Sequence, residues 1–260
     1  MASKLITPGY GSLAGGSLMI LAAGFGTRLR PLTERMPKAL VPVGGQPLIQ
    51  RCLDYFRTLR PGLLLVNGHH HAGQLAVFLD SKVAGYRRFR FIHEPEILDT
   101  GGALRNASPL VQGDFLVTVN VDIVSDISPL DALASHLRNR ALVTMILHDH
   151  PRYNQVEVDA VGRIVAFGRR RPRPGNRLLA YTGIQICSPT LLALLRRCRQ
   201  DVFPLIPFYQ RLLDHGRRDL LAHVVDTRYK FYWRDVGTPQ DLAACEADFA
   251  ARPGLAAAVF

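Results

Sequence analysis

Apolar and polar positions fall into blocks along this chain, and the blocks predict its elements. Residues 18–23 (LMILAA) are continuously apolar, as in a strand buried on both faces of a sheet. Residues 47–58 carry apolar side chains at 48, 49, 53 and 56 behind Pro47, which suits the first turn of a helix. A second buried strand follows at 62–68 (GLLLVNG), a helix at 72–81, a strand at 88–94, and a helix opening on glycines at 101–111. Residues 114–124 (DFLVTVNVDIV) form the strongest strand pattern, followed by a helix at 129–140 and a strand at 141–147. Strand and helix thus alternate with short connections, the pattern of a doubly wound α/β sheet.

The rhythm changes after residue 147. Residues 154–167 read as a hairpin turning at Asp159–Gly162, and 180–187 as a strand. Helices are predicted over 189–199 and 204–215, and extended segments over 219–227 and 229–237. A last helix begins at Thr238 as cap with Pro239 in its first turn. Residues 38–43 (KALVPV) predict a short extended piece. The expectation is an α/β fold with a doubly wound, mostly parallel (mixed) sheet and an inserted antiparallel hairpin region, in one domain over 19–250. Residues 1–18, Gly/Ser-rich and aperiodic, are expected to be a flexible N-terminal extension or leader, and 251–260 a C-terminal tail. No internal repeat is present.

Charge sharpens this picture. The chain has 32 Lys+Arg against 21 Asp+Glu, a net charge of +11. Such a balance fits a nucleic-acid surface or a pocket for a small polyanion. The arginines are dispersed through helices such as LLALLRRCRQ, and no basic stripe interleaved with aromatics appears, so the pocket is the preferred reading and nucleic acid is not expected as a partner. No apolar stretch approaches the ~20 residues of a membrane span, so no membrane partner is expected. Four scattered cysteines without a CxxC pair fit reduced thiols and a cytoplasmic location.

Candidate chemistry begins where the first strand stops. Gly24 and Gly26 open a turn that carries Thr27, Arg28, Arg30, Arg35 and Lys38. It is only half a dinucleotide fingerprint: Leu29 replaces the third glycine, and Pro31 and Pro37 interrupt a helix. It is not a P-loop, since no G-K-[ST] follows. Backbone amides beside fixed cations do make a cradle for phosphates.

The stretch LAAGFGTRLRPLTERMPKALVPVGGQPLI resembles the signature of the sugar-phosphate nucleotidyltransferases, the NDP-sugar pyrophosphorylases. The resemblance continues through LDTGGALRNA (98–107), FLVTVNVDI (115–123) and WRDVGTPQDL (233–242), and so covers essentially residues 18–247. The chain resembles enzymes of the mannose-1-phosphate guanylyltransferase and N-acetylmuramate-1-phosphate uridylyltransferase kind. The resemblance implies a Rossmann-like fold and transfer of a nucleoside monophosphate from an NTP to a sugar 1-phosphate, with Mg²⁺ as cofactor and pyrophosphate as product. A phosphate monoester has its second pKa near ~6, so the nucleophile is already ionised at neutral pH. The obstacle is repulsion between two polyanions, which calls for positioning and charge neutralisation.

By the same resemblance Arg28, Lys38 and Asp122 are the catalytic candidates, and Asp122 with Asp235 the metal ligands. Asp126 is a rival carboxylate four residues after Asp122. Val121 stands where relatives have glycine. Nucleotide-binding candidates are Leu21, Ala22, Ala23, Gly24, Gly26, Thr27, Gln74, Gly101 and Gly102. Sugar-phosphate candidates are Arg171, at the lysine of an F-x-E-K-P segment, with Thr182 and Gly183. The run of arginines at 169–173 also reads as a solvated loop. Three adjacent histidines, His69–His70–His71, do not converge on one metal, and Trp233 reads as a packing residue. NTP and sugar 1-phosphate are the expected partners, and homo-oligomerisation is left open. Two other readings fit the same residues. One is CMP transfer to phosphocholine, which an aromatic box from Tyr181, Trp233 and Tyr232 would favour. The other is a non-catalytic nucleotide-sugar sensor or regulatory subunit.

Overall fold

The computed structural model describes residues 11–260 except 227, 229 and 253. The first half builds the parallel part of the sheet. Strand β1 (Ser17–Leu21) leads through three single 3-10 turns, Thr27–Leu29, Leu32–Glu34 and Lys38–Leu40, to a small hairpin, β2 (Pro42–Val43) with β3 (Gln46–Pro47). Helix α1 (Leu48–Thr58), β4 (Leu63–Gly68), α2 (Ala72–Asp80), β5 (Phe89–His93), α3 (Asp99–Ala107) and β6 (Leu116–Asn120) follow in alternation. Strand β1 lies between β4 and β6, both parallel to it, in register Leu18↔Leu64 and Leu18↔Val117. Helices cover both faces, which is why the strand sequences are uniformly apolar.

The second half turns the sheet antiparallel. After β7 (Ile123–Ser125), α4 (Leu130–Arg138) and β8 (Val143–His148) comes the hairpin β9 (Val156–Val158) with β10 (Ile164–Phe167). The long β11 (Arg177–Cys187) runs antiparallel to β6, β8 and β9. Helices α5 (Pro189–Arg196) and α6 (Leu205–Asp214) precede β12 (Leu220–Val224), which adds parallel to β8. Strand β13 (Trp233–Asp235) leads to α7 (Pro239–Ala251) and α8 (Leu255–Ala258). Among the described residues the central sheet has nine strands, and two apolar clusters pack on it, one around α1 and β1 and the other around α3, α5 and α6.

The structure corrects the sequence reading at several points. Residues 11–18 are not part of an extension: Leu13 is fully buried, its N–H donates to the Leu59 carbonyl at 2.6 Å, and β1 already starts at Ser17. Residues 1–10 lie outside the described residues. Nor are residues 251–260 a tail. Phe260 is fully buried, stacks 4.8 Å from Tyr55 and 5.1 Å from Phe56, and exchanges backbone hydrogen bonds with Ser125. The predicted strand at 114–124 is two strands. Strand β6 belongs to the large sheet, whereas β7 pairs with β13 in a separate two-stranded ribbon, Asp235↔Ile123. The chain breaks at Val121–Asp122 because it passes from one sheet to the other there. The piece at 38–43 is a 3-10 turn followed by β2 rather than continuously extended. The extended run at 229–237 reduces to β13, with Tyr229 outside the described residues.

Candidate active site

The carboxyl ends of β1, β4 and β6 open into a cavity of about 490 Å³. Its walls include Leu21, Ala22, Ala23, Gly24, Gly26, Thr27, Arg28, Lys38 and Asp122, nine residues singled out by sequence. Position follows from topology, since the ends of parallel strands leave a crevice where neighbouring connections diverge to opposite faces.

The glycine turn is held from below and from the side. From below, the Ala22 N–H donates to Asn67 Oδ1 at 2.8 Å, and Asn67 Nδ2 donates to Glu94 Oε1 at 2.7 Å. Asn67 is 2% exposed and Glu94 fully buried, so this chain satisfies polar groups that would otherwise be costly. From the side, Gly26 adopts φ +63°, and a Cβ there would lie 2.8 Å from Thr33 Cγ2. Thr33 Oγ1 donates to the Gly26 carbonyl at 2.8 Å. The segment after β4 then grips the next three carbonyls in order. His70 donates to Thr33 O (2.8 Å), His71 to Glu34 O (3.1 Å) and Gln74 to Arg35 O (3.1 Å). The histidines and Gln74 are therefore latches on the basic loop, and Gln74 stands outside the cavity lining.

The charged cluster sits at the mouth of the turn. Lys38, 8% exposed, is ion-paired with Asp122. Asp122 is delivered by the break between β6 and β7, and its carbonyl accepts the Val236 N–H at 2.8 Å, drawing the β13 segment alongside. Asp235 is carried on β13. A Cβ placed on Gly237 would come within 2.6 Å of Arg28 Nη2 and 2.7 Å of Asp235 Oδ1, so the Arg28 guanidinium and the Asp235 carboxylate flank that glycine together. Burial pushes the Asp235 carboxyl above its usual range, the Asp122 charge adds to this, and Lys38 and Arg28 oppose it. Asp235 Oδ1 is buried and accepts no hydrogen bond among the described residues. An orphaned carboxylate oxygen beside a second carboxylate fits a hard divalent cation held by two protein oxygens. Asp126 does not compete: its Oδ1 accepts the Tyr232 N–H at 2.8 Å.

Other expected residues are placed elsewhere. Gly101 and Gly102 are buried, and Cβ atoms there would strike the Phe203 ring at 2.4 Å and the Asp201 carbonyl at 2.2 Å. These glycines let α3 pack against the segment before α6, and neither lines the cavity. Thr182 Oγ1 donates to the Ile146 carbonyl and the Thr182 carbonyl accepts from Trp233 Nε1 at 2.9 Å. Gly183, at φ +85°, packs against Ile123 and Asn120. Arg171 is exposed on the loop after β10. That loop is fastened by the buried Glu157, which accepts from the Arg173 N–H and Asn176 Nδ2, both at 2.8 Å, and pairs with Arg169 at 3.2 Å. Among the described residues Tyr181, Trp233 and Tyr232 make no ring contact with one another. Burial drives the Tyr181 phenol far above its usual pKa, and the Tyr232 hydroxyl is spent on Asp248 at 2.9 Å. Trp233 instead lies 4.5 Å from His148 and 5.5 Å from both His150 and Tyr153.

The cavity also uses residues that sequence reasoning passed over: Asn67, Glu94, Asp99, Thr100, Asn120 and Gly237. Two left a signal. Asn67 is the polar residue in an otherwise apolar strand, and Glu94 closes the strand run RFRFIHE. Asp99 adopts φ +57°, and its Oδ1 accepts the Thr100 N–H, a local bond that eases that conformation.

The profile of the family described as Nucleotidyl transferase matches residues 17–252, and the chain belongs to that family. N-acetylmuramate alpha-1-phosphate uridylyltransferase of Caulobacter vibrioides is 30% identical over 89% of this chain and 96% of its own length. Mannose-1-phosphate guanylyltransferase of Mycobacterium tuberculosis is 29% identical over 88% of this chain, and the match spans 63% of that protein. The bifunctional protein GlmU of Methanococcus aeolicus is 26% identical over 86% of this chain, which spans only 52% of it. Among solved structures, HddC from Yersinia pseudotuberculosis superposes with a TM-score of 0.73 at 22% identity, over 90% of this chain and 99% of HddC. The fold is thus the mixed, centrally parallel α/β sheet of nucleotidyltransferases. No helix among the described residues is long and apolar enough to cross a membrane.

Proposed function

We propose that this protein transfers a nucleoside monophosphate from an NTP to a sugar 1-phosphate, releasing pyrophosphate. The observation that carries the reading is that Arg28, Lys38 and Asp122 line one cavity at the end of the glycine turn, with Asp235 beside Arg28 at the lining residue Gly237. Two cations and two carboxylates held together suit a reaction whose barrier is charge repulsion rather than proton transfer.

In this reading the amides of residues 24–28 and the Arg28 guanidinium receive the triphosphate. Lys38 is shared between Asp122 and the reacting phosphate, so it holds position while neutralising charge. Asp122 and Asp235 are the residues that would hold Mg²⁺, which when bound supplies charge neutralisation on phosphate oxygens. The Ala22–Asn67–Glu94 chain keeps the turn from relaxing when a polyanion arrives. The acceptor phosphate is ionised at neutral pH and requires no base. A sugar acceptor is favoured over phosphocholine because Trp233 packs against His148, His150 and Tyr153 and makes no ring contact with Tyr181 or Tyr232 among the described residues.

The test is release of pyrophosphate by the purified chain with each NTP and a panel of sugar 1-phosphates, with and without Mg²⁺. UTP with N-acetylmuramate 1-phosphate is the first combination, because the relative of matching length is named for it. Turnover with at least one pair, abolished by chelation, is expected. Silence across the panel together with tight binding of an NDP-sugar would instead make the chain a sensor.

A further inference from the structure

Resting on the reading above, we propose that Arg152, on the loop between β8 and β9, is the cation that receives the phosphate of the incoming sugar 1-phosphate. The loop is rigidly built. The His150 N–H donates to Asn154 Oδ1 at 2.9 Å, Asn154 Nδ2 donates to Asp149 Oδ1 at 2.7 Å, and the Tyr153 N–H donates to the His150 carbonyl at 2.8 Å. It is also docked on the segment that carries Asp235. The rings of His150 and Tyr153 lie 5.5 Å from Trp233, two residues before Asp235. Arg152 Nη1 donates to Asp241 Oδ1 at 2.8 Å, four residues beyond Gly237, the glycine flanked by Arg28 and Asp235. Asp235 acts electrostatically on both Arg152 and Tyr153, and Arg28 acts on Tyr153, so the loop faces the charged cluster.

Arg152 has capacity to spare. Its side chain is 60% exposed, and of five N–H donors one is bonded to Asp241. The guanidinium lies 5.1 Å over the Tyr153 ring, which orients the planar fork while leaving its edge open for bidentate phosphate recognition. Two unpartnered ring nitrogens next to this loop point to a ligand independently. His148 is 3% exposed with Nε2 buried and unbonded, and His150 Nδ1 is likewise without a partner among the described residues. Buried polar atoms of this kind are ordinarily satisfied, and sugar hydroxyls would satisfy them. Arg171 lacks these relations, being exposed on a loop fastened to Glu157 through Arg173, Asn176 and Arg169.

Trp233 is the single tryptophan of the chain and lies against this loop, so its emission reports on the site directly. The experiment titrates glucose 1-phosphate and inorganic phosphate into the intact protein, following Trp233 fluorescence and calorimetric heat, for wild type, Arg152→Gln, Arg152→Lys and Arg171→Gln. Saturable binding to wild type is expected, weakened about tenfold in Arg152→Gln, or ~1.4 kcal/mol, with partial recovery in Arg152→Lys. In turnover, KM for the sugar 1-phosphate should rise about tenfold while KM for the NTP and kcat change less than about threefold. The proposal is overturned if Arg171→Gln carries the loss instead, or if wild type binds neither phosphate. Equal rises in both KM values, reproduced by Asp241→Asn, would reduce Arg152 to a structural partner of Asp241 and overturn it too. Because the titration needs no turnover, a silent NTP panel with phosphate binding intact would count against the transferase reading and not against Arg152.

Discussion

The nucleotide and acceptor sides of the proposed site are assembled in contrasting ways. At the nucleotide end, eight lining residues come from one stretch, positions 21–38, and that stretch is latched by Asn67, His70, His71 and Gln74. On the acceptor side, as proposed, the flanking groups would come from the loop at 149–154, the bulged middle of β11 around Gly183, and the β13–α7 connection. A contiguous turn of backbone amides can serve any triphosphate, since every NTP presents the same anion. Sugars differ in the orientation of hydroxyls, so an acceptor site benefits from loops that change independently of one another. The contrast teaches that the invariant part of a reaction tends to be built locally and the variable part by distant pieces.

Substitutions should break that comparison at different points. The largest effect is expected where the ends meet. Asp122→Asn should lower kcat by roughly 10³-fold or more, with far-ultraviolet circular dichroism unchanged; near-normal turnover would remove Asp122 from the metal site. Next comes Lys38→Ala, which should cost roughly 10²-fold in kcat, measured by pyrophosphate release at saturating substrates. At the latch of the nucleotide end, Asn67→Ala leaves the Ala22 N–H and a Glu94 oxygen buried without partners. It should destabilise the protein by about 1–3 kcal/mol in urea unfolding and raise KM for the NTP more than KM for the acceptor. The acceptor-end counterpart, Arg152→Gln, should show the opposite KM split.

A smaller effect sharpens the contrast by lying away from both ends. His136 is 2% exposed, bonded to Thr144 Oγ1 at 3.0 Å, and burial lowers its pKa to about 4 from 6.5. Its folded-state pKa is depressed, so the neutral ring's contribution is fully present above 6.5 and is lost as pH falls towards 4. Thermal unfolding scans from pH 7 to pH 4 should show a fall in Tm that is shallower in His136→Gln, by up to about 3 kcal/mol in stability at the acid end. An identical slope in the variant would show that other groups dominate the acid limb.

Much of the fold was legible because buried parallel strands must be continuously apolar and helices must keep one apolar stripe. Residues 62–68, 88–94 and 141–147 lie within a residue or two of β4, β5 and β8. The break after Asn120 was not legible: the apolar run continues through Val121 to Val124 although the chain changes sheets. Hydropathy records burial, not which neighbour does the burying. The same limit hid the roles of Gly101 and Gly102, whose close approach is to Phe203 and Asp201, about a hundred residues away.

By itself the sequence determined the alternating α/β order, the glycine turn with Arg28 and Lys38, and the carboxylates at the ends of two apolar runs, because local periodicity and residue chemistry are written along one dimension. Only the tertiary structure decided that Asp122 and Asp235 lie together across the β7–β13 ribbon. It alone turned Gln74, His70 and His71 into a brace, and brought Arg152 beside the tryptophan. Those relations depend on strand register and loop docking, in which free energy comes from contacts between residues far apart in the chain and is invisible to any window along it.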